Sequence, residues 1–549
     1  MSAHHNARAA ATLLGALVDA GVRDLVFSPG SRSTPLVLAA LANPSLTTRP
    51  VLDERAAGFL ALGLARASGR PVVLLCTSGS AGAHWLPAVI EARQDRVPLV
   101  LLTADRPPEK VGSGAGQTID QQGLFGRFVV HAAQLPVPDA AVPTAVFAAF
   151  ADDVAGAPGP VHLNVPFREP LWHPEADYTP PPARSARARR PAGDDLASLV
   201  AVVGTARRGL IYCGPGAEAG PELDALGWPV LVEATSGGRF GVGEGRITTY
   251  EALARSPFAA SHVPDLILHF GAAPHSRAIE AWLAGVPRVL VNEHGDRHDP
   301  DHLAVGRWRA STTEVARALT GQVQAEPGWR SAWVAAEDRA RAALDAACED
   351  GLWEGALARE VVCALPAGAA LHVASSMPFR DLDAFAPATP RNLKVFCNRG
   401  ASGIDGTVAC ALGEALHLGG PTVALLGDLA LIHDAGGLLL AGEQGAAVNL
   451  TLVVPDNGGG GIFEFLPIAG LDRAQFERAF LTPQHTDLAA LAAAARIRHV
   501  RVTERSALRP ALLAALARPG VDLIQVVIDR AANVARHKAA WTEAAEVLS

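Results

Sequence analysis

Two strand ends in the last third of the sequence carry residues that could bind a metal ion. The predicted strand TVALLG at 422–427 leads into Asp428, and the predicted strand NLTLVV at 449–454 leads into Asp456, Asn457 and four glycines. In open parallel sheets, ligands bind at the carboxyl ends of the strands. If these strands are neighbours, Asp428 and Asn457 face one spot. Their oxygens and a backbone carbonyl of the glycine-rich turn would form a partial shell for Mg²⁺.

Each half of this pattern also has an ordinary structural interpretation. Gly-Asp and Asp-Asn-Gly are common turn sequences, because short polar side chains and glycine suit turn conformations. Taken singly, either half favours a simple turn. The two halves together, separated by one predicted helix, are more specific and predict a site for a divalent cation and phosphate oxygens.

The elements that must position these residues are short apolar runs that alternate with helical segments. Apolar runs without polar alternation are typical of strands buried on both faces, and their alternation with helices predicts βαβ units and parallel sheets. Such runs occur at 24–27, 72–76, 98–104, 161–165, 209–213, 229–233, 265–270, 288–292, 394–397, 422–427, 449–454 and 522–528.

Changes in composition divide the chain into three predicted α/β domains, at 1–178, 195–345 and 346–549. The stretch TPPPARSARARRPAGD at 179–194 has four prolines, four arginines and no apolar periodicity. This composition predicts an exposed linker, with a tail for an anionic partner as the alternative. A second change near 320–355, where GQVQAEPG leads into a long helical segment, marks the other boundary.

The composition restricts the class of protein. The chain has 549 residues, of which 49% are hydrophobic and 19% charged, so a largely disordered protein is excluded. Its net charge of −8 argues against nucleic acid as a partner. Six cysteines without a C-x-x-C pair indicate reduced thiols rather than disulfides or a zinc site. Without an apolar run of about 18 residues or a signal-peptide pattern, we expect a soluble, cytoplasmic protein.

The paired strand ends resemble the signature of the thiamine-diphosphate (ThDP) enzymes, in which Gly-Asp-Gly is followed one helix later by Asn-Asn. Here Leu429 replaces the last glycine, and the second pair is Asp456-Asn457. Further motifs occur in an order that resembles the 2-succinyl-5-enolpyruvyl-6-hydroxy-3-cyclohexene-1-carboxylate synthase family of menaquinone biosynthesis. They are FSPGSRSTPLVLAAL (27–41), LDERAAGFLALGLA (52–65), CTSGSAGAHWLPAVIEA (76–92), LLTADRPPE (101–109), GAGQTIDQQGLFG (114–126), GPVHLNVPFREPL (159–171) and NRGASGIDGT (398–407).

The resemblance implies a fold, cofactors and an activity. The domain at 1–178 would bind the pyrimidine of ThDP, the domain at 346–549 its diphosphate, and a central domain would lie between them. Mg²⁺ or Mn²⁺ would accompany ThDP. The family is a transferase family that decarboxylates 2-oxoglutarate on ThDP, releases CO₂ and adds the resulting carbanion to isochorismate.

Glu54 opens the amphipathic segment at 52–71 and has two interpretations. An acidic residue in a first helical turn is favoured by the helix dipole. The resemblance implies instead a catalytic carboxyl that hydrogen-bonds the aminopyrimidine of ThDP and promotes deprotonation of its reactive carbon. The other cofactor-binding residues that it implies are Ile404, which would bend the cofactor, and Gly427, Asp428, Leu429, Asn457, Ile462 and Phe463.

The resemblance also implies metal ligands and a substrate site. The ligands would be Asp428, Asn457 and the backbone carbonyl of Gly459, although Asp456 stays open as an alternative to Asn457. Both substrates are dicarboxylates, which guanidinium groups can bind in a bidentate manner; for any single arginine a surface ion pair is the alternative. The implied substrate-binding residues are Ser31, Arg32, Arg106, Gln117, Arg277, Ser376, Arg380 and Arg399, with an apolar wall of Ile462, Phe463 and Leu466.

Glu54 and the predicted metal site fall in different domains, and the resemblance implies active sites at the subunit interfaces of a homodimer or homotetramer. A pyruvate-using decarboxylase or carboligase is one alternative, but it would not need these arginines. A non-catalytic ThDP-binding protein is another, supported by the departures at Leu429 and Asp456. The run YCGPGAEAG at 212–220 lacks the G-x-G-x-x-G spacing, so we expect no dinucleotide in the central domain.

Overall fold

The computed structural model describes residues 1–183, 193–241, 245–296, 299, 300 and 302–549. Three six-stranded sheets lie in these residues, and their strands pair in parallel throughout. Helices connect and flank the strands, so the predicted α/β fold with three parallel sheets is confirmed. None of the helices in this part of the chain is both long and apolar enough to cross a lipid bilayer.

The first sheet is built from fully buried central strands and more exposed outer ones. Its strands are β1 (Asp24–Phe27), β2 (Thr47–Pro50), β3 (Val72–Cys76), β4 (Leu99–Asp105), β5 (His131–Gln134) and β6 (Val161–Pro166), in the order β2-β1-β3-β4-β6-β5. The accompanying helices are α1 (Ser2–Asp19), α2 (Thr34–Ala42), α3 (Glu54–Ser68), α4 (Leu86–Gln94) and α5 (Ala145–Ala149).

The second sheet forms the centre of the chain. Its strands are β7 (Gly209–Cys213), β8 (Val230–Val232), β9 (Arg246–Ile247), β10 (Leu266–Phe270), β11 (Arg288–Asn292) and β12 (Ala304–Arg309), in the order β12-β11-β10-β7-β8-β9. The helices are α6 (Ala197–Val203), α7 (Tyr250–Ala254), α8 (Phe258–Ser261), α9 (Arg277–Trp282), α10 (Thr312–Leu319) and α11 (Trp329–Glu349).

The third sheet carries the predicted metal site. Its strands are β13 (Ala370–Val373), β14 (Lys394–Cys397), β15 (Thr422–Leu425), β16 (Asn449–Asp456), β17 (Arg498–Val502) and β18 (Gly520–Val527), in the order β14-β13-β15-β16-β18-β17. The helices are α12 (Glu354–Ala364), α13 (Met377–Phe385), α14 (Thr407–Leu418), α15 (Asp428–His433), α16 (Ala435–Gln444), α17 (Arg473–Phe476), α18 (Leu488–Ala494), α19 (Arg505–Leu516) and α20 (Arg530–Glu546).

All twelve predicted apolar runs form strands, with ends that differ by no more than two residues. The strands β2, β5, β9, β12, β13 and β17 are not predicted from the sequence. Five of these six lie at sheet edges. In β2, β5, β12 and β17, partial exposure allows polar residues and removes the apolar signal. The edge strand β9 is buried but has only two residues, too few for an apolar run. The exception, β13, is a short central strand that carries the buried His372.

The predicted linker at 179–194 lies partly outside the described residues, since 184–192 are not described. Residues 179–183 and 193–194 form neither helix nor strand, and Pro181 packs against Gly15 of α1. The domain limits stay a prediction, and helix α11 continues across the predicted limit between 345 and 346.

Helices α3 and α14 bring the first and third domains into close backbone contact. A Cβ atom on Gly63 would lie 2.1 Å from the Cys410 carbonyl oxygen, and one on Gly413 would lie 2.3 Å from the Leu60 carbonyl oxygen. The Cys410 thiol also donates to the Phe59 carbonyl at 3.3 Å. Only glycine permits such an approach of two backbones. The apolar side chains of both helices share one buried cluster.

The crossing predicts a large cost for any side chain at Gly63. We expect Gly63→Ala to lower the free energy of unfolding by about 1–3 kcal/mol, because the added methyl group would overlap a backbone carbonyl that cannot rotate away. Gly420→Ala is the matched control, since a Cβ atom there has open space around it. Denaturant unfolding measures both variants. Equal stability of Gly63→Ala and the parent would contradict the close crossing.

Candidate active site

The predicted metal site lies at the ends of two neighbouring strands. Strands β15 and β16 pair in parallel, with Leu425 opposite Val453, so the residues that follow them meet at one edge of the sheet. Asp428, the first residue of α15, is 6% exposed. Its carboxylate accepts the N–H groups of Leu429 at 2.7 Å and Gly459 at 2.8 Å. The glycine-rich turn is therefore held against Asp428.

Asp456 and Asn457 have different surroundings. Asp456 accepts a hydrogen bond from Gln525 Nε2 on the neighbouring strand β18 at 2.6 Å. Asn457 Nδ2 donates to Glu354 Oε1 at 2.6 Å, and its Oδ1 is buried without a hydrogen-bond partner in the described part of the chain. A buried amide oxygen that lacks a donor costs free energy unless a ligand satisfies it. This favours Asn457 over Asp456 as the metal ligand.

The donor set fits a divalent cation. Burial raises the pKa of Asp428 to about 6, although the N–H groups of Leu429 and Gly459 oppose this shift. No basic side chain among the described residues forms an ion pair with Asp428, so a cation would stabilise its charged form. A Cβ atom on Gly459 would lie 2.4 Å from the Leu481 carbonyl oxygen, so only glycine fits this turn. The buried carboxylate and the unsatisfied amide oxygen together fit Mg²⁺ bound beside a diphosphate.

Glu54 is the first residue of α3 and is half-buried. The preceding Asp53 caps this helix by accepting the N–H of Arg55 at 2.9 Å. The Glu54 carboxyl makes no hydrogen bond or ion pair with any other described residue. Because another residue provides the cap, helix capping alone does not account for Glu54, and its catalytic role stays a prediction.

Ser78, which follows β3, links two predicted substrate residues. Its hydroxyl accepts a hydrogen bond from Arg106 Nη1 and donates to the Gln117 carbonyl, and Gln117 Nε2 donates to the Ser78 carbonyl at 3.0 Å. Partial burial and the nearby Arg32 guanidinium lower the pKa of Arg106. Arg32 is buried and pairs with Glu169 at 2.8 Å. The first domain thus places two guanidinium groups and an amide together.

Ser31 precedes this buried arginine and is exposed. Its carbonyl accepts both the N–H and the hydroxyl of Thr34, the first residue of α2, at 3.1 and 2.7 Å. The Ser31 residue is therefore held at the start of the helix, close in sequence to the guanidinium of Arg32.

A second group of arginines forms where the second and third domains meet. The Arg399 guanidinium lies 4.6 Å from the centre of the Phe379 ring, and its Nε is buried without an acceptor among the described residues. Arg380 donates to the Ser376 carbonyl at 2.9 Å, and Ser376 has a φ of +79°. Partial burial and the guanidinium groups of Arg399 and Arg277 lower the pKa of Arg380. Arg277, the first residue of α9, thus belongs to this group.

The predicted apolar residues lie in two loops of the third domain. Ile404 precedes α14 and packs against the buried cluster that the first and third domains share. Ile462 and Phe463 lie in the 3₁₀ helix Gly461–Phe465, and Phe463 contacts Phe480 edge-to-face at a ring distance of 5.6 Å. Leu466 follows and is 39% exposed.

The loop that carries Arg399 is held by the first domain, through residues to which the sequence assigns no role. Both carboxylate oxygens of the buried Glu91 accept N–H groups, from Gly400 at 2.8 Å and Ala401 at 2.7 Å. Arg66 donates to Asn398 Oδ1 at 2.7 Å. Glu91 lies in the motif CTSGSAGAHWLPAVIEA, but the sequence does not indicate a partner more than 300 residues away.

Within one chain the predicted residues therefore form separate groups. The predicted metal site combines Gly427, Asp428, Leu429, Asn457 and Gly459. Arg32, Arg106 and Gln117 lie together in the first domain, and Arg277, Ser376, Arg380 and Arg399 lie together elsewhere. Across the described ranges, no hydrogen bond or ion pair joins Glu54 to Asp428 or Asn457.

Comparison with known proteins identifies the family. The thiamine pyrophosphate enzyme N-terminal TPP binding domain matches residues 7–124, and the C-terminal TPP binding domain matches residues 384–526. The 2-succinyl-5-enolpyruvyl-6-hydroxy-3-cyclohexene-1-carboxylate synthase of Myxococcus xanthus is 44% identical, with 96% of this chain and 95% of the relative covered. Synthases of the same name from Chloroflexus aurantiacus and Geobacillus kaustophilus are 42% and 39% identical, over 97% and 98% of this chain and 95% and 98% of theirs.

The chain belongs to this synthase family. The predicted family is confirmed, and because both matching domains are named for binding thiamine pyrophosphate, ThDP is confirmed as the cofactor. The synthase family is a family of ThDP-dependent transferases, so the alternative of a non-catalytic ThDP-binding protein is not supported.

The different surroundings of Asp428 and Asp456 give a test of which aspartate binds the metal. We expect Asp428→Asn to lose the rise in Tm that Mg²⁺ and ThDP together cause in the parent protein, because a ligand stabilises a protein only by binding it. Asp456→Asn is the matched control and should keep this rise, since an asparagine oxygen can still accept from Gln525. Thermal unfolding with and without Mg²⁺ and ThDP measures both. A lost rise in Asp456→Asn with an intact one in Asp428→Asn would reverse the assignment.

Proposed function

We propose that the protein decarboxylates 2-oxoglutarate and joins the remaining four-carbon unit to isochorismate, giving 2-succinyl-5-enolpyruvyl-6-hydroxy-3-cyclohexene-1-carboxylate and CO₂. The name shared by relatives that align over nearly the full chain supports this reaction. The observation that carries the substrate assignment is the grouping of guanidinium groups, with Arg106 near Arg32 and Arg380 near Arg399 and Arg277. The buried Nε atoms of Arg32 and Arg399 have no acceptor among the described residues.

Electrostatics explains why the arginines are concentrated. The chain has a net charge of −8, whereas both substrates are dianions and ThDP carries a diphosphate. Binding therefore needs positive charge focused at one place. The planar guanidinium can bind a carboxylate through two parallel hydrogen bonds. We assign the Arg32 and Arg106 group and the Arg277, Arg380 and Arg399 group to the carboxylates of the two substrates.

The cofactor site assigns roles to the remaining residues. Asp428, Asn457 and the Gly459 carbonyl would hold Mg²⁺ or Mn²⁺, which in turn would hold the diphosphate. Bound ThDP supplies the electron sink for decarboxylation and carbon–carbon bond formation. Glu54 holds and returns a proton at its carboxylate oxygen. Ile462, Phe463 and Leu466 exclude water from the reacting carbon atoms.

The site is completed by a second copy of the chain, in a homodimer that can pair into a tetramer. Glu54 has no hydrogen-bond partner among the described residues of its own chain, and Leu52, two residues before it, is 88% exposed. The two arginine groups lie in different domains. These features support an arrangement in which the first domain of one subunit faces the third domain of its partner. We place this biosynthetic enzyme in the cytoplasm.

A substrate comparison tests the proposed reaction. We expect isochorismate to be consumed only when 2-oxoglutarate, ThDP and Mg²⁺ are all present, with pyruvate unable to replace 2-oxoglutarate. Glu54→Gln should bind ThDP normally and lose about 100-fold or more of the turnover, because the proton-transferring carboxyl is absent. Isochorismate absorbance measures consumption, and calorimetry measures ThDP binding. Turnover with pyruvate instead of 2-oxoglutarate, or an unimpaired Glu54→Gln variant, would refute these assignments.

A further inference from the structure

A buried chain of hydrogen bonds lies behind Asn457. The Glu354 N–H, at the start of α12, donates to Asn533 Oδ1 on α20 at 3.0 Å. Asn533 Nδ2 donates to one carboxylate oxygen of Glu354 at 2.9 Å, and Asn457 Nδ2 donates to the other at 2.6 Å. Glu354 and Asn533 are both buried, so water does not compete for these bonds.

The donor and acceptor of each hydrogen bond in this series are determined by the preceding bond. A backbone N–H can only donate, so Asn533 must present its oxygen to the Glu354 backbone and its NH₂ to the Glu354 side chain. The Glu354 carboxylate then accepts from Asn533 on one oxygen and from Asn457 on the other. Asn457 therefore turns its NH₂ towards Glu354 and leaves its Oδ1 free on the other side.

That free oxygen is the atom a metal ion needs. Asn457 Oδ1 is buried without a donor in the described part of the chain, and the same turn is held to Asp428 through the Gly459 N–H. With the amide reversed, an NH₂ group would face the cation and could not act as a ligand. We infer that Glu354 is a positioning residue that holds the Asn457 amide with its oxygen towards the metal. This inference rests on the metal site of the proposed function.

Glu354 also lies in a buried group with Asp381 and His537, whose potential ligand atoms are within 4.8 Å of one another. Most of these atoms are already engaged, whereas Asp381 Oδ2 is buried without a hydrogen-bond partner among the described residues. His537 Nε2 pairs with Asp381 Oδ1 at 2.7 Å, and His537 Nδ1 faces the Asn533 carbonyl at 2.8 Å. Because both ring nitrogens face oxygens and both Glu354 oxygens accept N–H groups, we assign this group to the support of the hydrogen bonds rather than to a second metal ion.

The test measures ThDP binding to the full-length protein by calorimetry at increasing concentrations of Mg²⁺. In Glu354→Gln, the new NH₂ opposes an NH₂ on either Asn457 or Asn533, and only Asn457 is free to turn over. We expect the Mg²⁺ concentration at half-saturation to rise about 10–100-fold, as for other residues that orient metal ligands. Glu360→Gln, which changes a carboxylate on the same helix that pairs with Arg509, is the control and should match the parent.

A second variant separates positioning from a merely structural role. In the double variant Glu354→Gln with Asn457→Asp, the glutamine NH₂ donates to the new carboxylate, which still offers an oxygen to the metal. Every donor then faces an acceptor, so we expect Mg²⁺ binding to return to within about threefold of the parent or to become tighter. If the single variant does not fold, this double variant decides the question.

Three outcomes would overturn the inference. If the parent requires Mg²⁺ to bind ThDP and Glu354→Gln shows the same requirement, the role of Glu354 is overturned while the proposed metal site is not. A double variant that binds Mg²⁺ as weakly as Glu354→Gln would also overturn the role of Glu354. The same holds if the parent chain binds two Mg²⁺ ions and Glu354→Gln loses one of them. If ThDP binds to the parent with the same affinity with and without Mg²⁺, the metal site of the proposed function is overturned as well.

Discussion

The close crossing of helices α3 and α14 determines where the two cofactor-binding domains place their functional residues. The backbones of the two helices are in direct contact at Gly63 and Gly413, so the helices have little freedom to shift relative to each other. Glu54 begins one of these helices, and the loop that contains Ile404 leads into the other. A shift at the crossing would therefore move a predicted catalytic carboxyl and a predicted cofactor contact together.

Hydrogen bonds between domains extend this constraint to the predicted substrate-binding residues. Glu91 of the first domain accepts two N–H groups from the loop that follows Arg399. The Arg399 guanidinium is further fixed above the Phe379 ring. Because a carboxylate must be met by two N–H bonds at defined angles, a guanidinium is useful only when its backbone is held still. A chain of net charge −8 thus concentrates positive charge locally by fixing a few arginines.

The sequence predicts every central strand except β13, together with the strand ends of the predicted metal site, because apolar runs are a direct consequence of burial on both faces. It also places Asp428 and Asn457 at one edge, since the two strands that precede them are neighbours. Edge strands such as Thr47–Pro50 are missed because half-exposed positions tolerate polar residues.

The supporting residues are missed for a different reason. Glu354 meets Asn457 across 103 positions, and Glu91 meets Gly400 across 309. A single sequence contains no signal for such pairs, and a buried glutamate looks like an ordinary residue of an amphipathic helix. The preference for Asn457 over Asp456 likewise depends on Gln525, which lies on another strand.

In the arrangement that we propose, each active site combines Glu54 of one subunit with the predicted metal site of its partner. Co-expression of differently tagged Glu54→Gln and Asp428→Asn chains, followed by two affinity steps, isolates the mixed dimer. In a twofold arrangement one site carries both changes and the other carries neither, so we predict about half of the parent turnover per dimer. Turnover no higher than that of the two separate variants would show that each site lies within a single chain.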